Sequence, residues 1–209
     1  MIHIGIIHLP RPDRRALLHT TVLSAIECGA LSVSVLRDTV GAGPTAMLIR
    51  ALATVAQGKA GDELVCVMDD DLVLAPDAIS KAWACLQGQP KGTAATLWTI
   101  EQNVPHDKRE AHGWLEIAPH ANLWGGAVVM RVEDVLTVRS GIEEVWQHSP
   151  SLHRCPDTAI YSALDRAGMR VLHHLPSLAD HIGTEASTIG NDHNDGQTKG
   201  FRFNEWGQP

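Results

Sequence analysis

Apolar and polar positions along the first ninety or so residues alternate between two rhythms. Residues 2–8 carry Ile2, Ile4, Ile6 and Ile7, a short apolar strand pattern. A Pro-rich turn at residues 10–13 leads into a predicted helix over residues 14–27. Its inward stripe is Leu18, Val22, Ala25 and Ile26, and Gly29 stops it. Residues 31–36 alternate with period two, predicting a second strand that ends at Arg37 and Asp38. Gly41, Gly43 and Pro44 form a turn, and Pro44 sits in the first turn of a helix that buries Leu48, Ala51, Leu52 and Val55. Gly58 and Gly61 close it. Residues 63–68 read as a central buried strand, ending in Asp69, Asp70 and Asp71. Leu72, Val73 and Leu74, followed by Pro76 and Asp77, open a third helix with Ile79, Ala82, Trp83 and Leu86 on its buried side. Strand, helix, strand, helix, strand is the order of a right-handed parallel α/β unit.

From Thr93 the rhythm changes. Residues 93–100, 113–117 and 126–132 read as strands with loops between them. A helix is predicted over residues 156–167, with Ile160, Ala163, Leu164 and Ala167 inward and Gly168 as its stop. A last strand, residues 170–174, precedes Pro176. Beyond Gly190 the chain is polar and rich in Gly, Asn and Asp, the composition of a flexible tail or lid.

A chain of 209 residues buries about 70% of its unfolded surface in one core. The expectation is therefore a single mixed α/β domain, with a parallel half over residues 1–90, a smaller half over 91–190 and the tail over 191–209. At 44% hydrophobic and 20% charged it is not a disordered chain. The longest stretch free of Asp, Glu, Lys and Arg, residues 117–130, has 14 residues, against about 20 for a membrane span. Pro10, Arg11, Pro12 and Asp13 interrupt the first apolar run too early for a secretory leader. Cys28, Cys66, Cys85 and Cys155 show no metal-ligand spacing and read as buried thiols of a reducing compartment. A cytoplasmic protein is the expectation from these readings. The net charge of −7 argues against a broad nucleic-acid surface, although Arg11, Arg14 and Arg15 form a local basic cluster.

The strongest chemical signal is Asp69-x-Asp71 after a buried strand, because open α/β sheets bind ligands at the C-terminal edges of their strands. If strand geometry continues, Asp69 and Asp71 point the same way. Three adjacent acids repel one another unless a cation compensates, and such oxygen ligands suit Mg²⁺ or Mn²⁺, particularly beside a diphosphate. The alternative is an acidic surface loop; an EF-hand is excluded by Leu74 where that loop needs Gly. His181, between Asp180 and Ile182-Gly183, is either a third ligand or a structural histidine. Gly183 would let backbone approach a phosphate. Asp157, opening a helix after Pro156, is either a cap or a general base for an acceptor hydroxyl. Trp124, Gly125 and Gly126 are either a ligand platform or a tight turn with a packed Trp. Asp38 is either a nucleobase or ribose contact or a turn-forming Asp.

In this order the pieces resemble a GT-A glycosyltransferase. The match runs from the first strand and its Pro-Arg-Pro turn through Asp38, Gly43-Pro44, residues 67–71, Trp124-Gly125-Gly126 and Asp157 to His181-Ile182-Gly183. It spans residues 1–190 and is nearest to the small soluble enzymes of bacteriophages. The resemblance implies a GT-A fold and transfer of a sugar from a nucleotide-sugar donor, a UDP-sugar by expectation, to an acceptor hydroxyl. It implies that Asp71 and His181 hold Mn²⁺ or Mg²⁺ on the donor diphosphate, with Asp69 in support. Pro10, Arg11, Arg14, Asp38, Asp70 and Gly183 would bind the donor, and Trp124, Gly125 and Gly126 would shape the sugar and acceptor pocket. Asp157 would be the catalytic base of an inverting reaction, though Pro156 stands where members often carry an acid. The acceptor is expected to be a hydroxymethylated base in phage DNA, or otherwise a carbohydrate, and no membrane partner is expected. A haloacid-dehalogenase-type phosphohydrolase would want the Asp-x-Asp strand near the N-terminus. A non-catalytic nucleotide-sugar-binding module would bind without turnover.

Overall fold

The computed structural model describes residues 1–11, 14–99, 104–119, 126–149 and 155–182. The expected parallel half is present: β1 (Ile2–His8), α1 (Arg14–Glu27), β2 (Ser32–Arg37), α2 (Pro44–Ala56) and β3 (Leu64–Asp69). Then follow β4 (Leu72–Leu74), α3 (Ala78–Gln87), β5 (Thr93–Thr96), β6 (Gly113–Glu116), β7 (Ala127–Arg131), α4 (Val132–His148), α5 (Pro156–Arg166), β8 (Arg170–Leu175) and β9 (Ala179–His181). One sheet of seven strands runs β2-β1-β3-β7-β5-β8-β6, and β4 and β9 form a separate ribbon. β2, β1 and β3 are parallel, as are β5 and β8. β7 lies antiparallel between β3 and β5, and β6 antiparallel on β8.

The layers follow from the two-residue period of β3. Leu64, Cys66 and Met68 join Ile2, Ile4 and Ile6 in a core completed by Leu18 of α1 and Ile79, Ala82 and Leu86 of α3. Val65 and Val67 face the other way, into a core with Leu48 and Leu52 of α2, Val138 and Ile142 of α4, and Ile160 and Leu164 of α5. A strand buried on both faces is largely apolar; every residue of β1 is buried, and its two histidines are paired, His3 with Ser32 and Glu63 and His8 with Asp70. The result is a three-layer α/β/α domain whose sheet is continuous across both halves of the chain.

Several expectations are corrected. Leu72, Val73 and Leu74 form strand β4, not the lead-in to a helix, because they pair with β9 (Leu72 with His181, Leu74 with Ala179). The predicted strand over residues 93–100 pairs only as far as Thr96. Helix α4 was not expected; its buried residues Val135, Val138, Ile142 and Val145 recur at helical spacing. Its Gly141 lets α5 approach, since a Cβ there would lie 3.0 Å from the Cβ of Ala163. Ile26 is 56% exposed and Trp83 43% exposed, each turned about 100° from the buried Ala25 and Ala82 before it. The tail beyond Gly190 lies outside the described residues. Among those described, the four cysteines are free and no helix is long and apolar enough to cross a membrane.

Candidate functional site

Parallel register brings the ends of three strands to one edge: His8 of β1 is level with Arg37 of β2, and Ile7 with Asp69 of β3. β3 stops at Asp69, whose N–H donates to the carbonyl of Gly126 at 3.2 Å, and the chain turns through Asp70 and Asp71 before β4. That turn ends the strand geometry on which the common orientation of Asp69 and Asp71 depended. Asp69 instead lines a narrow cleft with Asp157, while Asp70 and Asp71 are engaged by basic side chains.

Arg14, at the start of α1, supplies the central contact. Its Nη1 donates to Asp70 Oδ1 at 3.1 Å and also to Asp71 Oδ2. His8 Nδ1 lies 2.5 Å from Asp70 Oδ2, and His181 Nε2 lies 2.9 Å from Asp71 Oδ2. All of these are buried except His181, an exposed residue whose side chain is 33% accessible. The backbone is held too: Thr21 Oγ1 donates to the Asp70 carbonyl, and the Ile182 N–H to the Asp71 carbonyl, both at 2.9 Å. Trp98, just beyond β5, stacks on the His181 ring with centroids 5.6 Å apart.

The electrostatics separate the three acids. Burial pushes the Asp69 carboxyl well above the usual carboxylate range, and the neighbouring charges of Asp157, Asp71 and Asp70 push it further. Burial also raises Asp70 against the hydrogen bond from His8. At Asp71 burial acts upward, but the bond and charge of His181 together with Arg14 outweigh it and hold the group low. His181 is raised in turn: burial acts downward and the Asp71 carboxylate overcomes it.

The cleft beside Asp69 is lined by Ile7, Leu48, Val67, Met68, Val128 and Ile160 together with Gly126, Pro156 and Asp157. Asp157 lies in the first turn of α5, which has Pro156 at its start and no side-chain cap from Cys155. Gly126 sits at close quarters there: a Cβ would fall 2.7 Å from Leu72 Cδ1, which would have to shift, and 3.4 Å from Asp69 Oδ2.

Asp38 holds a turn. Its two carboxylate oxygens accept the N–H groups of Ala42 at 2.8 Å and Gly43 at 2.9 Å, so it shapes the loop entering α2. Pro10 is exposed and Arg11 half-buried on the loop after β1, whose carbonyl at Arg11 accepts the Arg14 N–H at 3.1 Å. Arg14 is buried and committed to the acids, which removes it from the basic surface cluster expected with Arg11 and Arg15. Trp124, Gly125 and Gly183 lie outside the described residues. His8 and Trp98 were not singled out from the sequence, although His8 closes a strand at the same edge as Asp69.

The Asp71–His181 pair, a carboxylate oxygen and an imidazole nitrogen, fits a divalent ion that takes its other ligands from a diphosphate and water. Among the described residues no three His, Cys, Asp or Glu side chains converge to hold an ion by themselves. Asp69 lines the neighbouring cleft, within electrostatic reach of Asp71.

No family model matches the chain, and no curated protein matches it in sequence. Solved structures do resemble it. A glycosyltransferase involved in the glycosylation of the major capsid of PBCV-1 is 14% identical, with 92% of this chain and 98% of that one covered and a TM-score of 0.57. A Bacillus anthracis protein assigned as a glucose-1-phosphate thymidylyltransferase, crystallised with a sucrose, is 10% identical, with 97% of each chain covered and a TM-score of 0.54. At these identities the likeness is one of fold, and the fold is of the GT-A type.

Proposed function

We propose that the chain is a glycosyltransferase that moves a sugar from a nucleotide-sugar donor, in our reading a UDP-sugar, to a hydroxyl of a carbohydrate acceptor. The observation that carries this reading is the convergence on one sheet edge of two carboxylate groups with different surroundings. Asp71 stands among Arg14 and His181, a setting suited to a diphosphate; Asp157 stands at a narrow cleft beside Asp69, a setting suited to a hydroxyl.

In this reading the donor lies along the edge formed by the ends of β1, β2 and β3, with its phosphates toward Arg14, Asp71 and His181. Pro10, Arg11 and the loop held by Asp38 frame the nucleotide. Asp71 and His181 would hold Mn²⁺ or Mg²⁺, which when bound offsets the charge that develops on the leaving diphosphate. Asp157 accepts the proton of the acceptor hydroxyl as its oxygen attacks the anomeric carbon from the face opposite the diphosphate, giving inversion. Gly126 keeps the space beside Asp69 open for the reacting groups. The acceptor is read as a carbohydrate because Arg14 is buried among acids and the net charge is −7; a DNA base would call for phosphate contacts from exposed basic side chains.

Thermal unfolding against a panel of nucleotide sugars, each with Mn²⁺ and with chelator, tests the donor. Stabilisation by one nucleotide sugar is expected. No shift with any of them, at concentrations well above a millimolar dissociation constant, would set the reading aside. Transfer to DNA that falls steeply with salt would move the acceptor to nucleic acid.

A further inference from the structure

Three consecutive acids at the end of a buried strand need a positive partner, and α1 brings one. Arg14 is 7% exposed, and a single guanidinium nitrogen reaches both Asp70 and Asp71. Arginine stays charged at any accessible pH, and its planar fork matches carboxylates and phosphates alike. The acceptor it shares with His181, Asp71 Oδ2, is the oxygen that pairs most closely with the imidazole. A divalent ion placed between Asp71 and His181 would therefore meet a guanidinium already there. Like charges at contact distance repel strongly in so buried a place. Moving Arg14 aside without an incoming anion leaves a buried cation with fewer partners, the costly outcome for a buried ion pair.

We propose that Arg14 is the resident cation of the acidic triplet and competes with a free divalent ion for Asp71, so that ion and donor diphosphate are taken up together. The diphosphate part rests on the glycosyltransferase reading. It supplies the anion that Arg14 accepts in exchange for Asp71, and linkage requires that each then favours the other. Arg14 is in this sense a positioning residue whose effect is felt through Asp71.

The test uses Mn²⁺ alone, titrated by calorimetry into the wild-type chain, Arg14→Gln and Arg14→Lys, with no nucleotide present. Arg14→Gln is expected to bind Mn²⁺ at least about tenfold more tightly than wild type, within the range of ordinary coupling between sites. Arg14→Lys, which keeps the charge, is expected to stay near wild type. A wild-type chain that binds Mn²⁺ as tightly as Arg14→Gln would overturn the proposal, as would an Arg14→Gln variant that binds it no better. Should Arg14→Gln fail to melt cooperatively in chelator, Mn²⁺ is expected to restore the transition, and no restoration would overturn the proposal equally. Because these arms contain no nucleotide, their failure is distinct from failure to find a donor.

Discussion

His181 and Asp71 meet at 2.9 Å, nitrogen to carboxylate oxygen, because β9 pairs with β4 and sets His181 level with Leu72. The ribbon is only three residues long on each side, yet it fixes the contact on which phosphate and metal binding rest in this account. His181→Ala is expected to weaken the binding of nucleoside diphosphate with Mn²⁺ by at least the ~10–100-fold seen when a metal ligand loses its supporting partner. Isothermal titration measures it. An unchanged affinity would return His181 to a packing role against Trp98.

Asp157→Asn keeps the size and position of the side chain while removing its basicity. Donor binding should be retained and turnover should fall by about 10²–10⁴. Steady-state kinetics beside a binding titration separate the two effects. Near-normal turnover would assign proton removal to another group.

Gly126→Ala places a methyl group against Leu72 and close to Asp69. Overpacking of this kind costs about 1–3 kcal/mol, which for a domain of this size lowers the melting temperature by about 2–4 °C per kcal/mol. Leu72→Val in the same chain withdraws the clashing atom and should recover part of the loss. If the single variant melts like wild type, the space at Gly126 is not needed.

Asp38 gives a pH dependence with a definite sign. Burial pushes its carboxyl upward, but the N–H groups of Gly43, Ala42, Val40 and Gly41 outweigh burial and hold it below the ordinary value. A group depressed on folding contributes stability above its unfolded pKa of about 3.9, and the contribution is lost as pH falls through the lower folded value. Asp38→Asn should therefore be less stable than wild type in urea at neutral pH. The gap should narrow below about pH 4, where wild type too becomes protonated. A gap that stays constant from neutral pH to below that point would mean the carboxylate charge is not what holds the loop.

The parallel half is legible in the sequence because each element there carries a full period of its own pattern: two-residue alternation in residues 31–36, helical spacing of Leu48, Ala51, Leu52 and Val55. Helix α4 is hidden by its composition. Its inward residues are the β-branched Val135, Val138, Ile142 and Val145, which also suit strands, and Gly141 interrupts the run for the sake of contact with Ala163. β4 and β9 are too short to carry a period and exist by pairing with each other. Of the site, Asp69, Asp71, Asp157 and Gly126 were visible as residue types at element ends. The pairing of Asp71 with His181 was implied by the resemblance, whereas the contacts of Arg14 and His8 with the acids were not. Nothing local marks Arg14 as the partner of Asp70 and Asp71, and the cleft that Asp69 lines is assembled from residues far apart in the sequence. Asp38 was visible, but its loop decides its role.

The central claim is sugar transfer at this edge, and product analysis reaches it most directly. The chain would be incubated with nucleotide sugars and Mn²⁺, with and without a panel of saccharide acceptors, and the nucleotide product identified by chromatography. The account predicts release of a nucleoside diphosphate from one donor, accelerated by an acceptor that gains the sugar, and lost in Asp71→Ala. Formation of pyrophosphate from a nucleoside triphosphate and a sugar 1-phosphate, with no nucleoside diphosphate from any nucleotide sugar, would contradict it and make the same fold a nucleotidyltransferase.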